Sequence, residues 1–327
     1  MVKIWTPTGE INVEEPLEDR IRRECVKEED IIETPRKTIY VDWRRAFDAM
    51  QCMSDIWQES LPFEEELTLT PEAEFKDKPI LLSLSADWHV GSTDTDYDQL
   101  RKDLNLVTST PNVFMGTLGD DVDVGMYCEV RFMQAGPIRI QRYSVERIAE
   151  ELTECNPRHR KIWLFACAGN HTVTLFERAG ELYEEVYKNF DIRILPGMGK
   201  ITMHVGDETY KIAVAHKHFG QSRLNVTLAA KRLIEFYWDE ADIGAVGHIH
   251  HSAYEKYYKA GRERLAIRPG TYRTENNLFE LARGWGRSQP GGACVILYPD
   301  QHKMVPFINL EEGIEYLNYL NKPQELH

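Results

Sequence analysis

The chain has 327 residues, 42% of them hydrophobic, and a formal net charge of −14 at pH 7. That length suits one large domain with an appendage, or two modest domains, and the apolar content can bury a core without disulfides or metal as props. The acidic balance excludes a protein that coats nucleic acid indiscriminately by neutralising phosphates.

Residues 1–78 form an acidic extension, with 11 Lys and Arg against 20 Asp and Glu. A turn is expected at Thr6–Glu10, a charged helix from Pro16 to about Asp30, and a second helix over Val41–Trp57. The second helix carries Trp43, Phe47 and Met50 at rough 3.6-residue spacing, which reads as a core-facing stripe. No catalytic spacing occurs here. The extension reads as a partner-docking segment, a cover for an edge of the next domain, or a self-association face for a homo-oligomer.

Residues 79–309 alternate strand, loop and helix, and five strand-like runs end in metal-type side chains. Leu81–Ala86 runs into Asp87-x-His89, and Val113–Leu118 runs into Gly119-Asp120-x-x-Asp123. Ile162–Ala168 runs into Gly169-Asn170-His171. Tyr210–Ala215 ends at His216, and Ile243–Val246 at Gly247-His248-x-His250. Asp, Asn and neutral His are hard or borderline donors for divalent first-row metals. Strand C-termini gather at one edge of a sheet, where open α/β folds bind ligands. Ala215-His216-Lys217-His218 offers two candidate ligands; His216 directly follows the strand and is preferred, with His218 read as a substrate contact.

Helices are expected over Asp98–Leu106, Val145–Leu152, Leu175–Tyr187 and Arg223–Trp238. The last has an apolar stripe of Leu224, Leu228, Leu233 and Phe236-Tyr237. Ser252–Tyr258 and Arg264–Ile267 alternate like hairpin strands. Strands follow over Gly291–Tyr298 and Lys303–Asn309. Residues 310–327 form a tail whose first part, Leu310–Leu320, reads as a short helix.

Several features imitate sites without fitting them. Asp94-x-Asp96-x-Asp98 resembles the start of a calcium loop, but Gln99 and Asn105 stand where that loop needs Gly and Glu, so it reads as acids opening a helix. Gly284–Gly292 lacks the Gly-Lys-Ser/Thr ending of a phosphate loop. Arg273, Arg283 and Arg287 lie near it and read as substrate-phosphate contacts or as solvated surface arginines. Residues 217–287 carry 12 Lys and Arg against 8 Asp and Glu, so this part can meet an anionic substrate. The six cysteines show no C-x-x-C pair and no spacing that suggests a disulfide framework. The start of the chain lacks a basic segment followed by an apolar one, and no run approaches a membrane span. A cytoplasmic protein without a membrane partner is expected.

The five blocks, in this order and each behind an apolar strand, resemble the calcineurin-like metallophosphoesterase superfamily, of the bacterial, phage or SbcD-like kind. The resemblance covers about two-thirds of the chain. It implies a four-layer αββα sandwich of two mixed β-sheets flanked by helices, with Arg268–Arg273 as the strand that closes the second sheet. It implies two divalent ions, with manganese first and iron, zinc, nickel or magnesium as alternatives. Asp87, His89 and His250 would hold one ion and Asn170, His216 and His248 the other, with Asp120 bridging. The ions would activate a water as nucleophile, and His171 would be the general acid, kept protonated by the Asp123 carboxylate. Thr172 departs from the family's usual acidic residue after Gly-Asn-His. The implied activity is a phosphodiesterase acting on DNA, RNA or nucleotides. The alternatives are a phosphomonoesterase, which the Asp123–His171 pair favours, and a non-catalytic interaction protein on the same fold.

Overall fold

The computed structural model describes residues 2–6, 9–13, 24, 31–34, 37–40, 47–52, 55, 65–124, 135, 137–156, 160–171, 184–222, 224–274 and 290–322. The chain divides into two compact units, Met1–Pro62 and Phe63–His327.

In the first unit, β1 (Val2–Thr6) and β2 (Gly9–Val13) form an antiparallel hairpin, as do β3 (Ile31–Thr34) and β4 (Lys37–Tyr40). The sequence reading found only the turn of the first hairpin, because strands of four or five residues among so many charges give little periodicity to read. Residues 47–52 are helical. Phe47 and Met50, expected in a core-facing stripe, are exposed, and Ala49 is the buried position. The helix expected over residues 16–30 lies almost wholly outside the described residues. Cys52 is disulfide-bonded. That corrects the cysteine reading, since a bridge depends on proximity in space and sequence spacing alone does not exclude one.

The second unit contains two six-stranded mixed sheets. One is built from β6 (Ile80–Ser85), β7 (Val113–Thr117), β8 (Trp163–Cys167), β9 (Arg193–Leu195), β15 (Ala293–Leu297) and β16 (Met304–Phe307). Its spatial order is β16-β15-β6-β7-β8-β9; β6 to β9 run parallel, while β15 is antiparallel to β6 and to β16. The other contains β5 (Glu66–Leu69), β10 (Met198–Val205), β11 (Glu208–Ala215), β12 (Ile243–Val246), β13 (Ser252–Lys259) and β14 (Arg262–Pro269), in the order β13-β14-β12-β11-β10-β5. β5 lies ahead of the residue-79 start drawn from composition and pairs in parallel with β10.

The helices complete the layers. They are α1 (Tyr97–Ser109), α2 (Ile138–Glu150), α3 (Glu184–Asn189), α4 (Leu228–Phe236) and α5 (Leu310–Asn321). β6 is buried on both faces, as a central strand between layers must be. The strand period of two then sorts its side chains. Leu82 and Leu84 join Ile201, Ile212 and Val214 of the other sheet in the inner core. Leu81 turns outward into a core shared with Leu100, Val107, Val145 and Leu317 of the helices. On the far face of the second sheet, Ala213, Ala215 and Val246 pack under Ala229, Ala230, Leu233 and Ile234 of α4. These layers are the αββα sandwich the sequence led us to expect.

Two expectations change in detail. The helix expected over residues 223–238 starts only at Leu228, and its buried face is offset from the expected stripe, leaving Leu224 and Phe236 exposed. Of Arg268–Arg273, only Arg268 and Pro269 belong to β14; the following residues turn back towards the end of β6. There Thr271 Oγ1 and the Tyr272 amide both donate to the Asp87 carbonyl.

Candidate metal centre

The donors converge at the ends of five strands, three in one sheet and two in the other. β6, β7 and β8 deliver Asp87 and His89, Asp120, and Asn170 with His171; β11 and β12 of the other sheet deliver His216, and His248 with His250. The loops after β6 and β7 are stitched together by main-chain bonds, with the amides of Asp87, His89 and Val90 donating to the carbonyls of Gly119, Asp120 and Asp121 at 3.0 Å each. Gly119 and Gly169 allow this approach. A Cβ on Gly119, at φ +91°, would stand 2.8 Å from Gly169 Cα and His216 Nδ1, and one on Gly169 would collide with the Asp120 carboxylate. Asp87, His89, Asp120, His248 and His250 all have φ between +49° and +77°, the left-handed region that non-glycine residues rarely occupy.

Three groups of side chains could hold a metal ion among the described residues: Asp87, His89 and His250; His89, Asp120 and His171; and Asp120, His216 and His248. Within each group the donor atoms lie within 4.8 Å of one another. Asp87 Oδ2 accepts the His248 amide at 2.8 Å, whereas its buried Oδ1 has no sound hydrogen bond and faces His250 Nε2 at 3.4 Å and His89 Nε2 at 3.8 Å. His89 Nε2 and His250 Nε2 are 3.3 Å apart, and His216 Nε2 and His248 Nδ1 are 3.2 Å apart. Each pair meets either through a shared proton or through a cation between the two nitrogens, and the orphaned Asp87 Oδ1 beside them makes the donor set fit cations. Asp120 Oδ2 stands 3.1 Å from His216 Nε2, and Asn170 Oδ1 is 2.8 Å from the same nitrogen.

The far side of each ring decides which nitrogen is available. His216 Nδ1 lies 2.7 Å from the Leu118 carbonyl, which can only accept, so Nδ1 carries a proton and Nε2 is the donor atom. His89 Nδ1 lies 3.1 Å from Asp123 Oδ1, the carboxylate–imidazole support common behind metal-binding histidines. Burial, with Arg273 nearby, holds His89 well below the ordinary imidazole range, which leaves it neutral and able to ligate. Burial and His216 together bring His248 down to about 4. Burial also opposes charge on His216, yet Asp120 and Asp87 lift it to about 9.

The structure corrects two residue roles. Asp123 does not pair its carboxylate with His171; His171 Nδ1 meets the Asp123 main-chain carbonyl at 2.6 Å, while the carboxylate is turned to His89. Arg273 does not present a free guanidinium to substrate. It is buried and forks onto Asp94, with Nη2 at 3.0 and 2.8 Å from the two carboxylate oxygens, and its Nη1 is 4.0 Å from Asp123. A buried cation needs such a partner. His218 stays outside the three groups, half-buried with its ring 4.3 Å from that of Phe219. Arg283, Arg287 and Thr172 lie outside the described residues. A separate cavity of about 820 Å³, lined in part by Lys76, Lys78 and Arg160, contains none of these groups.

Three contributors escaped the sequence reading. Asp94 sat in a run that reads as helix-opening acids, a role filled by Asp96, which accepts the Gln99 amide at 2.9 Å, and by Asp98 in the first turn. Arg268 is buried and donates to the Gly247 carbonyl, fixing the turn that presents His248; nothing in the sequence marks it. Asp121 is buried and accepts the Tyr187 hydroxyl, and burial pushes its carboxyl up to about 7.

No family model matches the chain, and no curated protein matches it. Among solved structures it is similar to Vacuolar Protein Sorting 29 from Cryptosporidium parvum, at 14% identity over 71% of this chain and 99% of that one, with a TM-score of 0.37. Vps29 from Chaetomium thermophilum gives 14% identity, 70% and 94% coverage and a TM-score of 0.33. The nuclease MPE of Pseudomonas putida gives 14% identity, 69% and 87% coverage and a TM-score of 0.33. Likenesses this distant carry no argument about chemistry. The chain's own coordinates supply the result: an αββα sandwich of two mixed sheets bearing, at the ends of its strands, three His/Asp groups able to hold metal ions.

Proposed function

We propose that the protein is a dinuclear metal-dependent phosphohydrolase, a phosphodiesterase acting on nucleic acid or nucleotides. The carrying observation is the convergence of Asp87 Oδ1, His89 Nε2 and His250 Nε2 beside Asp120, His216 and His248, with Asp120 common to two of the groups. Asp87, His89 and His250 would hold one ion; Asn170, His216 and His248 would hold the other; Asp120 would touch both. When bound, such a pair supplies Lewis-acid polarisation of phosphoryl oxygens and an activated water.

The chain's own residues do the positioning. Asp123 and the Leu118 carbonyl fix the tautomers of His89 and His216. The His171 amide donates to Asp120 Oδ1 at 2.9 Å, so Asp120 Oδ2 is the oxygen left to face the ions. His171 Nδ1 is tied to a main-chain carbonyl, which turns Nε2 towards Asp120 Oδ2 at 3.8 Å. From there a protonated Nε2 can give its proton to a leaving-group oxygen. The monoesterase reading leaned on a carboxylate partner for His171. That carboxylate faces His89, which favours the diester.

The test is paired hydrolysis of bis-p-nitrophenyl phosphate and p-nitrophenyl phosphate in Mn²⁺, with His171→Gln and Asp120→Asn as controls. Diester turnover lost in both variants is the expected result. Dominant monoester turnover would place the phosphatase first, and turnover unchanged in Asp120→Asn would refute the metal centre.

A further inference from the structure

The helix α4 buries Ala229, Ala230, Leu233 and Ile234, so its register leaves Phe236 72% exposed. Phe219, on the loop after β11, is 53% exposed, and the two rings stand 5.7 Å apart. Scattered exposed apolar residues are ordinary, but two adjacent phenyl rings form a patch that calls for an occupant. The Arg232 guanidinium lies 5.3 Å from the Phe219 ring centre. Neither Arg232 nor exposed Lys217 has a carboxylate within 4.0 Å among the described residues. Their neighbours Lys231 and Lys259 are paired, with Glu255 and Glu235. The patch therefore joins aromatic faces to the Arg232 guanidinium, which has no ion pair among the described residues.

Its place is as telling as its composition. Phe219 is three residues beyond His216, so its Cα is within about 11 Å of the His216 Cα. The rings therefore lie on the segment that leaves a residue of the candidate metal centre. An occupant of purely apolar chemistry would leave Lys217 and Arg232 unmatched. A nucleic-acid strand matches both features, with π faces for the rings and phosphates for the cations. A duplex hides its base faces in its own stack, so the strand must be single.

We propose that Phe219, Phe236 and Arg232 form a stacking platform for an unpaired base of a single-stranded nucleic acid whose backbone enters the metal centre. This rests on the phosphodiesterase reading and narrows its substrate to single strands.

The test is fluorescence anisotropy of a labelled, phosphorothioate-linked 12-nucleotide oligo-dT, and of a duplex of equal length, with the full chain in Mn²⁺. The expected result is that wild type prefers the single strand. Phe219→Ala/Phe236→Ala should weaken that binding about tenfold or more, in the range set by base–aromatic stacking, with little change for duplex. Phe219→Trp should retain the affinity, which separates stacking from any general disturbance of the loop. Failure of wild type to bind single strands, equal losses for both forms, or an unchanged double variant would overturn the platform. So would a dimer in sedimentation that the double variant abolishes, since the rings would then be a contact between copies. Bis-p-nitrophenyl phosphate has no nucleobase, so absent turnover of it by wild type counts against the phosphodiesterase. Turnover with strand binding insensitive to the rings counts against the platform alone.

Discussion

The two sides of the candidate metal centre hold equivalent imidazoles by different means. Behind His89 stands a chain of buried charges, Asp123, Arg273 and Asp94, in which a fully paired guanidinium balances two carboxylates. Behind His216 stands a single main-chain carbonyl, and the nearby buried Asp121 is met by a tyrosine hydroxyl. Both arrangements fix a tautomer. The charged one is an all-or-nothing device, because removing one member strands the others in low dielectric. The neutral one has less to lose.

Breaking the residue common to both sides should have the largest effect. Asp120→Asn should lower bis-p-nitrophenyl phosphate turnover by about 10³-fold or more, as expected when transition-state charge stabilisation is lost. Manganese bound per chain, measured by elemental analysis, should fall on both sides. Next comes Arg273→Gln, which leaves Asp94 and Asp123 without their cation and should cost about 3–5 kcal/mol in denaturant unfolding. Adding Asp94→Asn should recover part of that loss. No recovery would mean that the pair is not coupled. Asp123→Asn, which weakens the support behind His89 while leaving Arg273 paired with Asp94, should reduce manganese affinity about 10–100-fold. The loss should appear in one of two titration steps, with the other unmoved.

The smallest effect probes the neutral side. Burial raises the Asp121 carboxyl to about 7 in the fold, well above the ordinary carboxylate range. The native state therefore holds a proton that the unfolded chain releases between pH 4 and 7, and stability must fall as pH rises through that window. In metal-free protein, Asp121→Asn should raise Tm by roughly 2–4 °C at pH 8, and the gain should vanish near pH 4. A gain that persists at pH 4 would show that burial of the charge was not its origin.

Legibility in the sequence followed distance along the chain. The donors were readable because each sits directly after an apolar run, so strand and ligand appear as one local pattern. Arg273 and Asp94 are 179 residues apart, and no local pattern announces their pairing; one read as a substrate contact or surface arginine, the other as a helix-opening acid. Asp123 misled for a subtler reason. Its place in the motif was right, but its side-chain direction depends on turns at positive φ on either side, Asp120 at 58° and Val124 at 38°. The α4 stripe failed because Phe236 and Leu224 fit a helical period loosely, and packing chose the two alanines instead. β10 escaped because its buried Ile201, Met203 and Val205 alternate with Lys200, Thr202 and His204, which blurs an apolar run.

The left-handed conformations of Asp87, His89, Asp120, His248 and His250 bear on how this protein can change. Each costs of order 1–3 kcal/mol for a residue with a Cβ, and glycine would relieve it. Glycine at any of the five would ease the backbone and remove a candidate ligand in the same step. Stability and metal binding would therefore pull these positions in opposite directions.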